Sequence, residues 1–208
     1  MSPRGLLPFF TDSIFVVLAL YFVVSYAHSL LTFQANQMFP FFVYQTFFLG
    51  FQLLALALFL FRRHADLFSS KVEDYVCTTL SLALPMFLQP VSPQDASISG
   101  LFLELMGAVV VLAAFLSLNR SFGIAPENRG IKTKGLYRFV RHPMYLGYLL
   151  TETGFLLGNF STYNVLIFVA AGLFLVLRLM AEERFLKRDP VYESYMKKAP
   201  WKLIPLIF

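Results

Sequence analysis

Two clusters of polar residues sit at the edges of apolar stretches in this 208-residue chain. The first is Arg141-His142-Pro143-Met144-Tyr145-Leu146-Gly147, closely preceded by Gly135 and Tyr137. The second is Arg178 with Glu182 and Glu183, followed by Tyr192 and Tyr195. Proline suits the opening turn of a helix, whose free N–H groups make a positive-ended mouth for a carboxylate, with His142 at its lip. Arg178 and Glu182 are four apart, so they share a helix face and can pair or jointly face a polar ligand. Glu183 points about 100° away and has Lys187 four residues later, which predicts Glu182 in a pocket and Glu183 in a surface pair.

Plainer roles fit the same residues one by one. Arg141 and Arg178 can snorkel to lipid headgroups, and Gly147 can serve close helix packing. Tyr192 and Tyr195, with Lys197, Lys198 and Trp201, can form a short amphipathic helix on a membrane surface, or the tyrosines can close a pocket. Glu104 and Glu152 fall inside apolar stretches, where an ionisable group is a functional candidate by default. Glu152, two helical turns beyond Tyr145, is a candidate substrate contact. His28 and His64 read as structural or interfacial, and three scattered histidines make no metal site. Cys77 is the only cysteine, which excludes an intrachain disulfide or a thiolate metal cluster.

The elements that must position these groups are apolar helices. The chain is 58% hydrophobic and 14% charged, with mean hydropathy +0.66. Soluble domains are roughly half apolar and a quarter charged. Apolar segments run over 14–33, 39–61, 75–88, 98–118, 144–157 and 163–179, predicting an all-α, multi-pass transmembrane bundle of about six crossings. The first run exceeds a signal-peptide core and is read as a retained helix. Pro85 and Pro90 limit the third segment, and Gly158-Asn159-Phe160-Ser161-Thr162 predicts a tight turn joining the last two as a hairpin.

Charge orients the bundle. With the N-terminus inside, all 17 basic residues fall on inner segments, and the outer connections near 34–38, 89–97 and 158–162 hold none. Both termini and the polar clusters are therefore expected on the cytoplasmic face. The net charge of +5 reads as orientation and headgroup contact rather than nucleic-acid binding. The chain is expected to be a single membrane domain, with 1–118 as a four-helix scaffold and 119–208 as the working core.

Taken together, Gly135/Tyr137, Arg141 to Gly147, Glu182/Glu183, Tyr192/Tyr195 and Ile204/Pro205 resemble the signature of the isoprenylcysteine carboxyl methyltransferase and phospholipid methyltransferase superfamily. The resemblance covers about residues 116–206. It implies an integral membrane enzyme that uses S-adenosylmethionine and no metal, acting on a lipophilic acceptor in the bilayer. A prenylated cysteine carboxylate or a lipid amine are the acceptors it suggests. By position, Arg129, Gly130, Ile131, Lys132, Tyr137, His142, Pro143, Met144, Tyr145 and Glu182 are implied to line the cofactor site. Arg178 is implied to contact substrate and, with Glu182, to carry the catalysis. Arg129 and Phe122 depart from the pattern, at positions where the isoprenylcysteine enzymes tend to carry histidine and a polar residue. Rival readings are a nicotinamide-dependent membrane reductase and a non-catalytic transporter or scaffold.

Overall fold

The computed structural model describes residues 6–31, 39–65, 67–89, 91 and 97–208. It is a helical membrane protein built from α1 (Leu6–Leu31), α2 (Phe39–Leu60), α3 (Val72–Ala83), α4 (Ile98–Leu118), α5 (Pro143–Gly158), α6 (Thr162–Leu186) and α7 (Pro190–Lys198). Among the described residues, 9–28, 98–121 and 162–186 are long and apolar enough to cross a membrane. Their apolar side chains also face outward, for example Val17 and Val24 on α1, Phe102 and Val109 on α4, and Leu166 and Leu173 on α6. Hydrophobic outer faces of this kind suit contact with hydrocarbon.

The expectation of six crossings is not matched segment by segment. The third apolar run forms only the twelve residues of α3 before Pro85 tightens the chain into a 3-10 turn at Leu84–Phe87, because a proline lacks the N–H that would continue the α-helix. Arg4 and the predicted outer connection at 34–38 lie outside the described residues, as do Pro90 and most of the connection at 89–97.

The α5–α6 hairpin forms where the sequence predicts it. Ser161 caps α6 by accepting from the Asn164 N–H at 3.1 Å. Asn164 is fully buried. Its side-chain amide donates to the carbonyls of Asn159 (2.6 Å) and Gln89 (2.8 Å) and accepts from the Gln89 N–H (3.0 Å), tying the turn to the end of the α3 segment.

α4 packs more extensively on α5 than on any other element. Glycines make the approach possible: a Cβ on Gly107 would fall 2.5 Å from the Thr151 backbone, and one on Gly154 would fall 2.5 Å from the Glu104 backbone. Small residues of this kind let membrane helices pack backbone to backbone. Gly147, with Gly107 and Val111 against it, belongs to this seam. Phe122 is buried between Phe115 of α4 (centroids 4.7 Å apart) and Phe15 of α1 (5.9 Å).

Candidate functional site

Beyond α4 the chain turns at Asn119, whose φ of 50° ends the helix, and runs as a loop to α5. The N-terminal half anchors this loop. Arg63 N–H donates to the Arg120 carbonyl (2.7 Å), Ser69 N–H to the Pro126 carbonyl (3.0 Å), and Arg120 Nε to the Phe61 carbonyl (2.8 Å). The two-residue strands β1 (Leu67–Phe68) and β2 (Glu127–Asn128) pair antiparallel. Arg129 is buried and grips Glu127 with Nε (2.7 Å) and Nη2 (2.8 Å), while Nη1 donates to the Arg63 carbonyl. Burial raises the Glu127 carboxyl above its ordinary range, with Arg129 opposing the shift. Gly130 follows at φ 91°, a conformation that suits glycine, with its N–H on Asn128 Oδ1 (3.0 Å).

At the start of α5 the residues of the Arg-His-Pro motif are locked from two sides. The N–H groups of Arg141 and His142 donate to the carbonyls of Trp201 (2.9 Å) and Lys202 (2.8 Å). These two groups, just ahead of the helix, are therefore engaged by the C-terminal segment, and within the first turn the Tyr145 N–H donates to the His142 carbonyl (3.1 Å). Arg141 is buried rather than snorkelling. Its Nη1 donates to the carbonyls of Ala199 and Pro200, both at 2.8 Å.

Glu183 is the correction of most consequence. Instead of forming a surface pair with Lys187, it is buried at 3% exposure. Its carboxylate accepts from Arg141 Nε (2.8 Å) and Nη2 (3.1 Å) and from the Tyr192 hydroxyl (2.7 Å), and lies 2.8 Å from His142 Nε2. Burial alone would lower the Arg141 pKa, but the adjacent Glu183 carboxylate outweighs it and raises it. Burial and then Glu183 hold the Tyr192 phenol well above its usual value, so Tyr192 is a neutral donor. The Tyr195 hydroxyl, also pushed up by burial, donates to the Tyr137 carbonyl at 2.5 Å. The tyrosines thus close a pocket, while Lys197 and Lys198 stay exposed on the outer side of α7.

Glu182 faces the space that this lock encloses. It accepts from the Tyr145 hydroxyl, and its Oε2 lies 3.7 Å from His142 Nδ1. The His142 and Tyr145 rings stack, with centroids 5.5 Å apart and planes 4° from parallel. Arg178, fully desolvated at 3% exposure, lies 5.0 Å over the Tyr145 ring. Its Nη2 donates to the Ile124 carbonyl (2.6 Å) and Nη1 to Ser81 Oγ (3.4 Å). Its Nε is 3.8 Å from Glu182 and has no hydrogen-bond partner.

The resulting cavity is lined by Arg129, Gly130, Ile131, Lys132, Tyr137, His142, Met144, Tyr145, Arg178 and Glu182, all singled out from sequence. Pro143 is buried at the α5 start and positions the motif without lining the cavity. Glu152 lies elsewhere, in a second cavity within the bundle. Three polar lining residues were not anticipated: Glu127, Asn128 and Ser121. Asn128 Nδ2 donates to Asp189 Oδ2 (2.7 Å), joining the loop to the first turn of α7. Ser121 is buried and its Oγ has no hydrogen-bond partner. A lone serine between Arg120 and Phe122 gives no signal in sequence.

Residues 96–193 match the phospholipid methyltransferase family, a span that contains most of the cavity lining. The chain is 35% identical over 60 residues to protein-S-isoprenylcysteine O-methyltransferase A of Arabidopsis thaliana, covering 26% of this chain and 30% of that protein. It is 39% identical over 79 residues to protein-S-isoprenylcysteine O-methyltransferase of Schizosaccharomyces pombe, covering 36% of this chain and 33% of that protein. The matched stretches thus span about a third of the length of these curated relatives.

Proposed function

We propose that this chain is an S-adenosylmethionine-dependent methyltransferase acting on a lipophilic acceptor drawn from the bilayer. The observation that carries the reading is the pairing, in one cavity, of a carboxylate that faces the space, Glu182, with a buried hydroxyl that has no partner, Ser121 Oγ. A buried polar atom without a hydrogen bond costs roughly 1–3 kcal/mol, and a polar ligand relieves that cost. The lining fits this cofactor. Glu182 offers an acceptor for an ammonium, Tyr145 and His142 offer a flat aromatic wall, and Ser121 offers a hydroxyl. When bound, the cofactor supplies an electrophilic methyl group on a sulfonium.

What the chain's own residues contribute is positioning. Methyl transfer needs a nucleophile held in line at near-attack distance, and orientation of this kind supplies a large share of catalysis. The Tyr145 hydroxyl donates to Glu182 Oε1, Arg178 Nε lies 3.8 Å from the same oxygen and His142 Nδ1 lies 3.7 Å from Oε2, so these three groups orient the carboxylate toward a ligand. Arg178 stands at the inner wall with Nε unpartnered, suited to orient an acceptor entering from the bundle. The distribution of basic residues favours a cytoplasmic opening for the cavity, where a soluble cofactor enters.

Calorimetric titration of the full chain in nanodiscs tests the reading. S-adenosylmethionine is expected to bind and to raise the unfolding temperature, and Glu182→Gln is expected to weaken it about tenfold or more, the scale of one charge-assisted hydrogen bond. Stabilisation by NADPH, with no response to S-adenosylmethionine, would overturn the assignment in favour of a reductase.

A further inference from the structure

Residues 204–208 hold large apolar side chains that stand outward: Leu206 is 82% exposed and Ile207 76%, with Ile204 and Phe208 exposed beside them. Their neighbours belong to a membrane-spanning helix. Leu203 is buried in one apolar cluster with Leu175 and Leu179. The Lys202 ammonium lies 3.9 Å from Met180 Sδ and 4.0 Å from the centre of the Phe208 ring. These α6 residues fall within 162–186, one of the stretches long and apolar enough to cross a membrane. On α6, Leu166, Leu173, Leu177 and Met180 face outward at the spacing of a single helical stripe, and the exposed patch lies at the end of that stripe.

The backbone of this segment is closed on itself. The N–H groups of Lys202, Leu203 and Ile204 donate to the Phe208 main-chain oxygen (2.9, 2.8 and 3.1 Å), and those of Ile207 and Phe208 donate to the Ile204 carbonyl (3.2 and 3.1 Å). Pro205 brings no N–H. Irregular backbone enters hydrocarbon only when its polar groups are met internally, and a loop that faces water has no such need. Trp201 and Lys202, at the start of the segment, are residue types that mark headgroup level. A patch of five residues is also small for a protein partner, since a standard interface uses roughly 20–30 residues on each side.

We propose that residues 203–208 form an apolar foot seated in the bilayer beside the end of α6, and that this seat holds the Arg-His-Pro motif in place. The same stretch supplies the Trp201 and Lys202 carbonyls to the Arg141 and His142 N–H groups, and the Ala199 and Pro200 carbonyls to Arg141 Nη1. Lipid contact is thereby coupled to the wall of the outer cavity. The inference does not depend on the reaction assigned to that cavity.

Trp201 is the only tryptophan in the chain, so Ile207→Trp in a Trp201→Phe background moves the sole indole onto the foot. In nanodiscs, its fluorescence is expected to be quenched by phosphatidylcholine brominated on the acyl chains and protected from aqueous iodide. Quenching by iodide alone would overturn the proposal. Protection from both quenchers would show a protein covering the patch, a second copy included, and would overturn it as well. Ile207→Asp, which keeps the backbone bonds but places a charge in the foot, tests the coupling by hydrogen exchange. The Arg141 and His142 amides are expected to exchange about fivefold faster or more, the factor that one hydrogen bond represents, while amides along the α4–α5 seam keep their protection. Unchanged exchange at Arg141 and His142 would overturn the proposal.

Discussion

Replacing Glu183 with alanine should unfold the protein's working end, whereas replacing its neighbour Glu182 should not. Glu183 receives two bonds from Arg141, one from Tyr192 and a close approach from His142, all at 2.7–3.1 Å. Its side chain is only 4% exposed, as is that of Arg141. Charge-assisted bonds are worth roughly 1.5–3 kcal/mol each, so simple addition over four contacts would suggest about 6–12 kcal/mol. Two facts reduce this. Arg141 keeps the Ala199 and Pro200 carbonyls, and contacts within one network are not additive. The applicable figure is the loss on breaking one partner of a buried ion pair, about 3–5 kcal/mol. Denaturant unfolding in micelles, followed by circular dichroism, measures it. A double-mutant cycle with Arg141→Ala should show that the two losses largely overlap, since the second substitution removes the orphaned charge. A loss below about 1 kcal/mol, the scale of an exposed pair, would refute the buried lock and restore the surface pairing suggested by sequence.

Tyr192→Phe removes a single donor from the same lock and should cost about 1.5–3 kcal/mol in that unfolding assay. Gly147→Ala places a Cβ 2.9 Å from the Gly107 carbonyl and from the Val111 backbone nitrogen, and overpacking of that kind costs about 1–3 kcal/mol. By contrast, Gly172→Ala has nothing within 4 Å of the added methyl and should be neutral or stabilising, read by comparing the two unfolding midpoints. Arg129→Lys loses a fork that grips both Glu127 oxygens and a carbonyl; it should lower the unfolding temperature and weaken S-adenosylmethionine binding together, whereas Lys132→Met should weaken binding alone.

How much of this was legible in sequence depended on the range of the interaction. The α5–α6 hairpin was readable because its signals are local: a glycine, an asparagine and a serine cap within one turn. The cavity residues were readable as a set because their motif order matches a known family. Glu183 was misplaced for a specific reason. A helical wheel correctly puts it about 100° from Glu182, but it cannot show that α7 and the C-terminal segment fold over that second face and bury it too. The partners that decide the matter, Arg141 and Tyr192, are brought in by tertiary closure. The same limit hid the β1–β2 pairing, two residues on each side, and the part the N-terminal half takes in the site. Arg63, Phe61 and Ser69 hold the loop through backbone groups, which leave no side-chain signature.

Arg178 is the residue through which the two cavities bear on one another. Each of its nitrogens does something different: Nη2 fixes the loop at Ile124, Nη1 reaches Ser81 on α3 beside the inner cavity, and Nε is unpaired 3.8 Å from Glu182. A buried guanidinium is expensive, and a wall made only to separate two spaces would be built more cheaply from leucine. Its charge is better explained by what meets there. Ser81, which lines the inner cavity, accepts from its Nη1; Glu182, which faces the outer one, lies 3.8 Å from its Nε; and the Tyr145 ring lies 5.0 Å from its guanidinium. A cation in that position can orient an acceptor that enters from the bundle toward a donor held beside Glu182. On this argument Arg178→Met should abolish methyl transfer from S-adenosylmethionine to a total lipid extract while titration still shows the cofactor binding. Loss of both together would refute the orienting role and place Arg178 in the cofactor's own site.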